Sequence, residues 1–308
     1  MLMTHKITTG VAAVSVATLF SVSAPAQDAS APPAGAAQPL MQKMAPPSGV
    51  QAGVNFSYDA PGSAKFQGAH FGHSDATTLN LGVNTQIPLA EKWFVPLGLQ
   101  SDNYFLDAVA GAPIPEAIHT LRFNTGLGWR FNDQWIFTAL VSPSLYRFED
   151  VGISDFGWSG GVIATFRQNP SLIWSFGIFA SPDSDVPVLP VVGLRWQIND
   201  HYTLEVGIPK TRLTYQLDPK WSLYTGLDMN GTTFRTDKIL APNIGNNALA
   251  TYRTIRLGVG ASYEVLRGIQ AEIEAGYSVY RDLNYNDIDQ DVKFDPAPYV
   301  RVGLNYRF

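Results

Sequence analysis

The sequence VRVGLNYRF, residues 300–308 at the end of the chain, alternates between two kinds of side chain. Apolar residues stand at Val300, Val302, Leu304, Tyr306 and Phe308, and Arg301, Gly303, Asn305 and Arg307 stand between them. Successive side chains of a β-strand point to opposite faces, so this stretch predicts a strand with one apolar and one polar surface. Helical spacing would scatter the two arginines around every side of the element.

The same period of two continues through most of the chain from Val50 onward. Residues 50–58 and 121–131 show it clearly, with an apolar or aromatic side chain at most second positions. We predict an all-β fold of fourteen antiparallel strands, over residues 50–58, 77–87, 93–104, 118–131, 135–148, 156–167, 172–181, 190–198, 202–208, 211–217, 221–236, 251–265, 269–281 and 297–308. The two strands within residues 202–217 are shorter than the about 9–11 residues that cross a membrane. Reading them as one irregular element gives twelve strands.

Polar turns separate the predicted strands. A cassette of two or three polar residues followed by an aromatic recurs at residues 91–93, 132–135, 199–202 and 218–221, and Asn169-Pro170 and Arg267-Gly268 mark two more short turns. The other connections are mostly longer, near residues 59–76, 105–117, 149–155, 182–189, 237–250 and 282–296. Short turns at one rim and long loops at the other are typical of up-and-down outer-membrane barrels, whose short turns are periplasmic.

The composition excludes several classes of protein. Charged residues are 15% of the chain, below the about 25% of soluble domains. After residue 26 no apolar run approaches the about 20 residues of a transmembrane helix. The net charge of −5 argues against nucleic acid as a partner, and the lack of cysteine excludes a disulfide scaffold.

The first 48 residues are predicted to serve export rather than folding. Lys6, the apolar stretch 7–22 and Ala24-Pro25-Ala26 fit a signal peptide over residues 1–26. Residues 27–48 are rich in Ala and Pro, which predicts a disordered periplasmic tail, and residues 49–308 then form the barrel. The alternatives are that the apolar stretch is a membrane anchor and that the tail folds back into the barrel lumen.

Two all-β architectures fit the alternation. A soluble sandwich would bury the apolar face between two sheets, whereas a transmembrane barrel turns it toward lipid. Glycines crowd the polar face, as expected where a curved wall narrows its own interior. Aromatic residues of outward parity lie beside the short turns, where a membrane interface would favour them. This predicted aromatic girdle comprises Phe131, Trp135, Trp196, Tyr202, Trp221 and Phe308.

The last ten residues, Tyr299 to Phe308, also resemble the C-terminal signature of bacterial outer-membrane proteins, which end in Phe after alternating apolar residues. The resemblance implies location in the cell outer membrane, recognition of this strand by the barrel-assembly machinery, and contact with outer-membrane lipid and lipopolysaccharide. Residues 193–196, 207–209 and 213–215 resemble an uncharacterised family of Gram-negative outer-membrane barrels, which implies no activity.

Charged side chains of inward parity are predicted to line the lumen. They are Arg122, Arg130, Arg167, Arg195, Arg212, Arg256, Arg301, Arg307, Glu205, Asp228, Glu264, Glu272 and Glu274. Eight arginines against five acids leave 8 − 5 = +3, which suggests a wet pore with a mild preference for anions. The alternative is that these charges pair across neighbouring strands, Glu272 and Glu274 with Arg301 and Arg307 in particular, and fill the interior.

Other motifs give no catalytic or metal site. Residues 287–291 begin like a calcium loop, but Val292 and Pro298 stand where an EF-hand needs Gly and Glu, which favours a solvated acidic loop, with loose divalent-cation binding as the alternative. His70, His73 and Asp75 could chelate a metal, but no further convergent ligand is visible. No Gly-x-Ser-x-Gly elbow is present. We therefore predict no metal, no cofactor and no enzyme.

A barrel of about fourteen strands is wider than the eight-stranded kind that side chains fill. The leading hypothesis is a passive channel or transporter for small polar solutes. The alternatives are a structural or adhesive barrel with a plugged lumen and, less favoured, an outer-membrane enzyme acting on lipid, which would need a Ser–His pair on the outer surface. We expect no His at an outward strand position, with His119 at the loop end of its strand.

Overall fold

The fold is seen in a computed structural model that describes residues 49–107, 109–148, 151–184, 186–236, 240, 244–245, 247–286 and 290–307. The predicted signal peptide, the predicted tail and Phe308 lie outside the described residues, as do residues 287–289 of the calcium-like loop. Among the described residues no helix is long and apolar enough to span a membrane.

Fifteen β-strands and one short 3-10 turn at Ile153–Asp155 are the regular elements in the described part of the chain. The strands are β1 Val50–Phe66, β2 Ala69–Pro88, β3 Trp93–Leu106, β4 Ala117–Arg130, β5 Trp135–Leu145, β6 Phe156–Asn169, β7 Leu172–Ala180, β8 Val188–Gln197, β9 Tyr202–Val206, β10 Lys210–Gln216, β11 Trp221–Arg235, β12 Leu249–Leu266, β13 Ile269–Tyr285, β14 Gln290–Phe294 and β15 Ala297–Arg307. Each is antiparallel to its neighbours.

The sheet closes on itself. From β2 to β13 each strand pairs with the next, and β1 pairs with both β2 and β15. Strands β14 and β15 lie end to end between β13 and β1, each paired with both. The fifteen strands therefore occupy fourteen positions around the barrel. The protein is thus a closed antiparallel up-and-down β-barrel, and the prediction of fourteen strand positions is confirmed.

Six short turns form one rim of the barrel, here called the turn rim. At three of them an Asn or Asp side chain accepts hydrogen bonds from the backbone two and three residues on. Asn132 Oδ1 accepts from Trp135 N at 2.8 Å, Asn199 Oδ1 from Tyr202 N at 2.8 Å, and Asp218 Oδ1 from Trp221 N at 2.8 Å. This capping explains three of the four polar–aromatic cassettes, because the side chain closes the turn and the aromatic begins the next strand.

The opposite rim, the loop rim, differs from the sequence prediction. Residues 59–76 were expected to be mostly a loop, but β1 continues to Phe66 and β2 begins at Ala69. A register shift between Asp59 and Gly62 interrupts the pairing of β1 with β2. Inward side chains have odd numbers before the shift and even numbers after it, so the alternation used for the prediction is broken there. Likewise β13 continues to Tyr285, and β14 occupies part of the predicted 282–296 loop.

The outward face of the barrel is apolar. Phe56 is 45% exposed while its inward neighbour Ser57 is 2% exposed, and Val259 is 63% exposed beside the buried Gly258. An exposed apolar belt around a closed wall of paired strands requires hydrocarbon rather than water as its surroundings. The fold is therefore a transmembrane barrel, and the sandwich alternative is wrong because the apolar side chains lie outside the closed sheet.

Candidate functional site

The barrel interior has two differently filled parts. We call the part lined by β11–β15 and β1–β4 the packed half, and the part lined by β5–β10 the open half. The two meet where β11 leans across the interior toward β4, and the Oγ1 atoms of Thr120 and Thr232 are 2.9 Å apart. Six strands separate β4 from β11 along the wall on the open side, so this contact crosses the interior.

Apolar side chains close the packed half near the loop rim. The buried cluster comprises Ala64, Phe66, Ala76, Tyr104, Leu106, Ile114, Ile118, Phe234, Ile244, Ala250, Tyr252, Leu283, Tyr285, Val292 and Phe294. Two of its members, Ile114 and Ile244, come from loops that fold in over the strands. The Tyr285 hydroxyl donates to the Pro113 carbonyl at 2.5 Å and ties one of these loops to β13. We call this cluster the apolar stopper.

A network of paired charges fills the packed half on the turn-rim side of the stopper. Arg301 donates to Asp228 Oδ2 and to Glu274 Oε2, each at 2.5 Å. Arg256 and Ser278 both donate to the buried carboxylate of Asp59. Pairing of this kind offsets the cost of burying these charges.

Arg212 joins the same network from β10. Its guanidinium lies 3.7 Å from Glu272 and 3.8 Å from Glu274, with its Cζ 3.6 Å from the centre of the Tyr224 ring. The Tyr299 hydroxyl donates to Glu274. Glu274 therefore pairs with Arg301, as expected from neighbouring strands, whereas Glu272 reaches Arg212 three strand positions away.

On β7–β10 the open half keeps several polar inward side chains partly exposed, whereas Ser142 and Ser144 on β5 and Thr165 on β6 are buried. Arg195 donates to Glu205 at 2.7 Å, and the two side chains retain 32% and 36% of their exposure. Ser175, Thr203 and Thr214 face inward beside them and are half-buried. This wall is a wet surface, unlike the packed one.

Arg122 stands apart from the paired arginines. It is 7% exposed, faces inward from β4, and lies opposite Gln100 on β3 and Ser144 on β5. Within the described part of the chain no carboxylate forms a salt bridge with it, and its buried Nη1 has no hydrogen-bond partner. A buried guanidinium without a salt-bridge partner favours an anion close to it, although the buried carboxylate of Asp102 lies two residues from Gln100 on the neighbouring strand.

The other predicted lumen residues lie near the turn rim. Arg130, Arg167, Glu264 and Arg307 are half-buried at the turn-rim ends of their strands, and Glu264 accepts a hydrogen bond from Gly268 N at 3.3 Å. Several interior partners were missed: Asp59, Lys210, Tyr224 and Tyr299. Asp59 follows Ser57 at the same parity, so extending the first predicted strand by one residue would have found it.

Around the outside of the turn rim the predicted girdle residues are mostly exposed: Phe131 51%, Trp196 43%, Tyr202 41% and Trp221 45%. Trp135 is half-buried and stacks on Phe166, with ring centres 4.6 Å apart. Further aromatics pair with this row and were not predicted, such as Trp93 with Trp129 at 5.7 Å and Tyr263 with Trp221 at 4.6 Å.

Apolar side chains also lie inside the open half. Leu140 and Phe179 are buried there, and Ile163, Val186, Leu189 and Val191 pack against them. We call this cluster the apolar patch. The predicted alternation of one apolar and one polar face does not hold here, because β5–β8 carry large apolar residues at both parities.

Loop contacts hold the loop rim together. Arg235 Nε donates to Ser154 O at 2.7 Å, and the Tyr146 hydroxyl donates to Asp183 at 3.0 Å. Burial raises the pKa of the Tyr146 hydroxyl, and the nearby Asp183 carboxylate raises it further, so this donor keeps its proton. Asn286 also donates to the Asp183 carbonyl at 2.9 Å.

The histidines form no metal centre in the described residues, where no group of three or more His, Asp or Glu side chains converges. His70 Nδ1 lies 3.0 Å from Ser63 Oγ. His119 lies at an outward position of β4, contrary to our expectation, and bonds to Asn103 Oδ1 at 2.9 Å. Asn103 in turn donates to Ser101 Oγ at 3.1 Å.

Comparisons with known proteins find one matching family and several solved barrel structures of similar fold. The family described as "Domain of unknown function (DUF6268)" matches residues 110–307. No curated protein matches the sequence. An outer membrane channel from Pseudomonas putida F1 is similar in structure, with a TM-score of 0.47 and 12% identity over 87% of this chain and 98% of that chain.

Two further solved structures are similar at the same low level of identity. The toluene transporter TodX of Pseudomonas putida has a TM-score of 0.43 and 11% identity, over 85% of this chain and 89% of that chain. A Pseudomonas aeruginosa FadL homologue has a TM-score of 0.42 and 12% identity, over 84% of this chain and 90% of that chain.

Proposed function

The chain belongs to the DUF6268 family, whose description names no activity, and we propose from the geometry of the barrel that the protein is a passive outer-membrane channel for small solutes. The observation that carries this proposal is the contrast between the two halves of the interior. The packed half is filled by the stopper and by paired charges, while the open half keeps polar side chains partly exposed. Solute therefore passes along β5–β10.

The proposed channel favours small polar anions on this path. Four of the predicted lumen arginines, at positions 195, 212, 256 and 301, have carboxylate partners, and their charges are largely cancelled. Arg122 has no such partner among the described residues and lies at the border between the two halves. A fixed charge of this kind sets the sign of the ions that enter a pore.

The environment of the barrel is part of the same proposal. The signal peptide over residues 1–26 would export the chain, and the barrel-assembly machinery would recognise its C-terminal strand. The aromatic girdle would contact outer-membrane lipid at the periplasmic interface, where Trp and Tyr are favoured, and lipopolysaccharide would surround the loop rim. The exposed aromatics of the turn rim support this placement.

Planar-bilayer recordings of the purified protein in a salt gradient test the proposal. We expect a steady conductance and a zero-current potential whose sign is that of an anion-selective pore. Arg122→Gln should move that potential toward zero, whereas Lys92→Gln, which removes an exposed charge at the turn rim, should leave it in place. A potential unmoved by Arg122→Gln would contradict the proposed anion preference, and the absence of any conductance would contradict the channel itself.

The second candidate is a structural barrel with a plugged lumen, which the apolar stopper favours. It predicts no conductance at all from correctly folded protein. A lipid-acting enzyme is less favoured, because Ser101 Oγ accepts from Asn103 rather than bonding to His119, and acyl transfer needs a nucleophile hydrogen-bonded to its base. Hydrolysis of phospholipid by detergent-solubilised protein would revive that candidate.

A further inference from the structure

The wall of the barrel is incomplete above the hairpin formed by β9 and β10. Strand β9 has five residues and β10 has seven, whereas β11 beside them has fifteen. Strand β8 pairs with β9 only over Leu194–Gln197, and β10 pairs with β11 only as far as Lys210 and Asp228. Beyond the hairpin, β8 continues to Val188 and β11 to Arg235, with no described strand between them.

The backbone of β8 shows an open edge on this side. Ile198 N donates to Tyr202 O at 2.9 Å, and Gln197 N donates to Ser171 O at 2.8 Å on the other side. Because backbone direction alternates along a strand, the polar groups of Val188 and Pro190 point toward the missing strand, whereas the carbonyl of Val192 lies beside Gly207 of the hairpin. Proline lacks an N–H and is found in sheets at edges, strand starts and bulges, so Pro190 suits an edge that stays unpaired.

The opening lies at the level of hydrocarbon. Val188 is eight residues beyond Trp196 of the girdle. At about 3.3 Å per residue and a tilt of about 40°, these residues climb about 20 Å, within the about 25 Å apolar band of such barrels. The outward side chains beside the opening also indicate a lipid-facing position, since Val188 is 58% and Val192 60% exposed.

Hydrocarbon allows an open sheet edge only where the edge borders a cavity or is covered. Behind the opening is the apolar patch, to which β8 contributes Leu189 and Val191 between its outward valines. The hairpin closes the opening below, and at the loop rim Arg235 at the end of β11 bonds to Ser154 in the connection before β6. The opening therefore faces sideways, and its inner surface is apolar on the side of β8, whereas β11 turns Asn230 and Thr232 inward on the other side.

We propose that this opening, the side window bounded by residues 188–193 of β8, the β9–β10 hairpin and residues 229–235 of β11, passes small apolar or amphipathic solutes between the membrane and the barrel interior. At the level of the hairpin three interstrand spacings of about 4.8 Å separate β8 from β11, a gap of about 14 Å. The apolar patch receives the apolar part of the solute, and the polar surface of Arg195, Glu205 and Thr203 leads on to the turn rim. The proposal rests on the proposed channel function and adds a solute class and an entrance to it.

Two valines give a matched test, because the chain has no cysteine of its own. Val192 beside the window and Val162 on the complete wall are outward valines with 60% and 58% exposure. Val192→Cys and Val162→Cys would each be expressed in intact cells and modified with a bulky biotinylated methanethiosulfonate. Uptake of N-phenyl-1-naphthylamine, a small apolar fluorescent probe, is then followed before and after reduction of the adduct.

We expect modified Val192→Cys to lose probe uptake to the level of cells without the barrel and to recover it on reduction, while modified Val162→Cys keeps it. Equal uptake by the two fully modified variants, or no uptake by the unmodified protein, overturns the side window. Ionic conductance of the same purified proteins, recorded separately, decides whether the channel proposal fails as well.

Discussion

The two halves of the barrel interior are built from the same alternating strands but are filled differently. In the packed half, inward side chains such as Asp59, Tyr252 and Leu283 are at most 1% exposed. In the open half, Arg195 and Glu205 keep about a third of their exposure although they too form an ion pair. The difference teaches that parity alone tells which face a residue is on, but not whether water reaches it.

The largest expected effect comes from breaking one ion pair in each half. Asp59→Ala leaves the buried Arg256 without its carboxylate, which should cost about 3–5 kcal/mol of unfolding free energy. Glu205→Ala breaks the half-exposed pair with Arg195 and should cost about 0–1 kcal/mol. Urea unfolding of the barrel in lipid vesicles measures both. Equal losses would mean that the two halves are packed alike.

A smaller contrast is expected at two inward glycines. A Cβ at Gly276 in the packed half would lie 2.1 Å from Leu257 O and 2.6 Å from Gly258 Cα, both backbone atoms. A Cβ at Gly193 in the open half would lie 3.5 Å from Ser175 Cβ, an ordinary contact. Gly276→Ala should therefore destabilise the barrel by about 1–3 kcal/mol, as overpacking does, and Gly193→Ala should have little effect.

The same unfolding measurement applies to this glycine pair, with heat-modifiable electrophoretic mobility as the check that each variant folds. If Gly276→Ala were as stable as Gly193→Ala, the wall of the packed half would have room to relax. The close packing inferred for that half would then be wrong.

The strand positions and the turns could be predicted from the sequence because both signals are local. A period of two marks each strand, and the Asn or Asp of a cassette such as 199–202 caps its own turn. The continuation of β1 past Asp59 could not be predicted in this way. The register shift in Ala60-Pro61-Gly62 changes parity, and only the partner strand β2 shows that pairing resumes.

The filling of the interior could be predicted only in part. The sequence indicates which charges face inward, and neighbouring strands explain the pairing of Glu274 with Arg301. Contacts that cross the interior, such as Thr120 with Thr232, depend on how β11 leans and have no local signal. The shortness of residues 202–217 is visible in the sequence, but the side window also requires the greater lengths of β8 and β11.

Cysteine substitution of two inward serines tests most directly whether solute passes along the open half. Ser175 is half-buried on β7 in the open half, and Ser57 is 2% exposed on β1 in the packed half. With a charged thiol reagent added to the protein in a planar bilayer, Ser175→Cys should show a stepwise fall in conductance and Ser57→Cys should show none. A fall at Ser57→Cys with none at Ser175→Cys would place the path through the packed half and contradict the account.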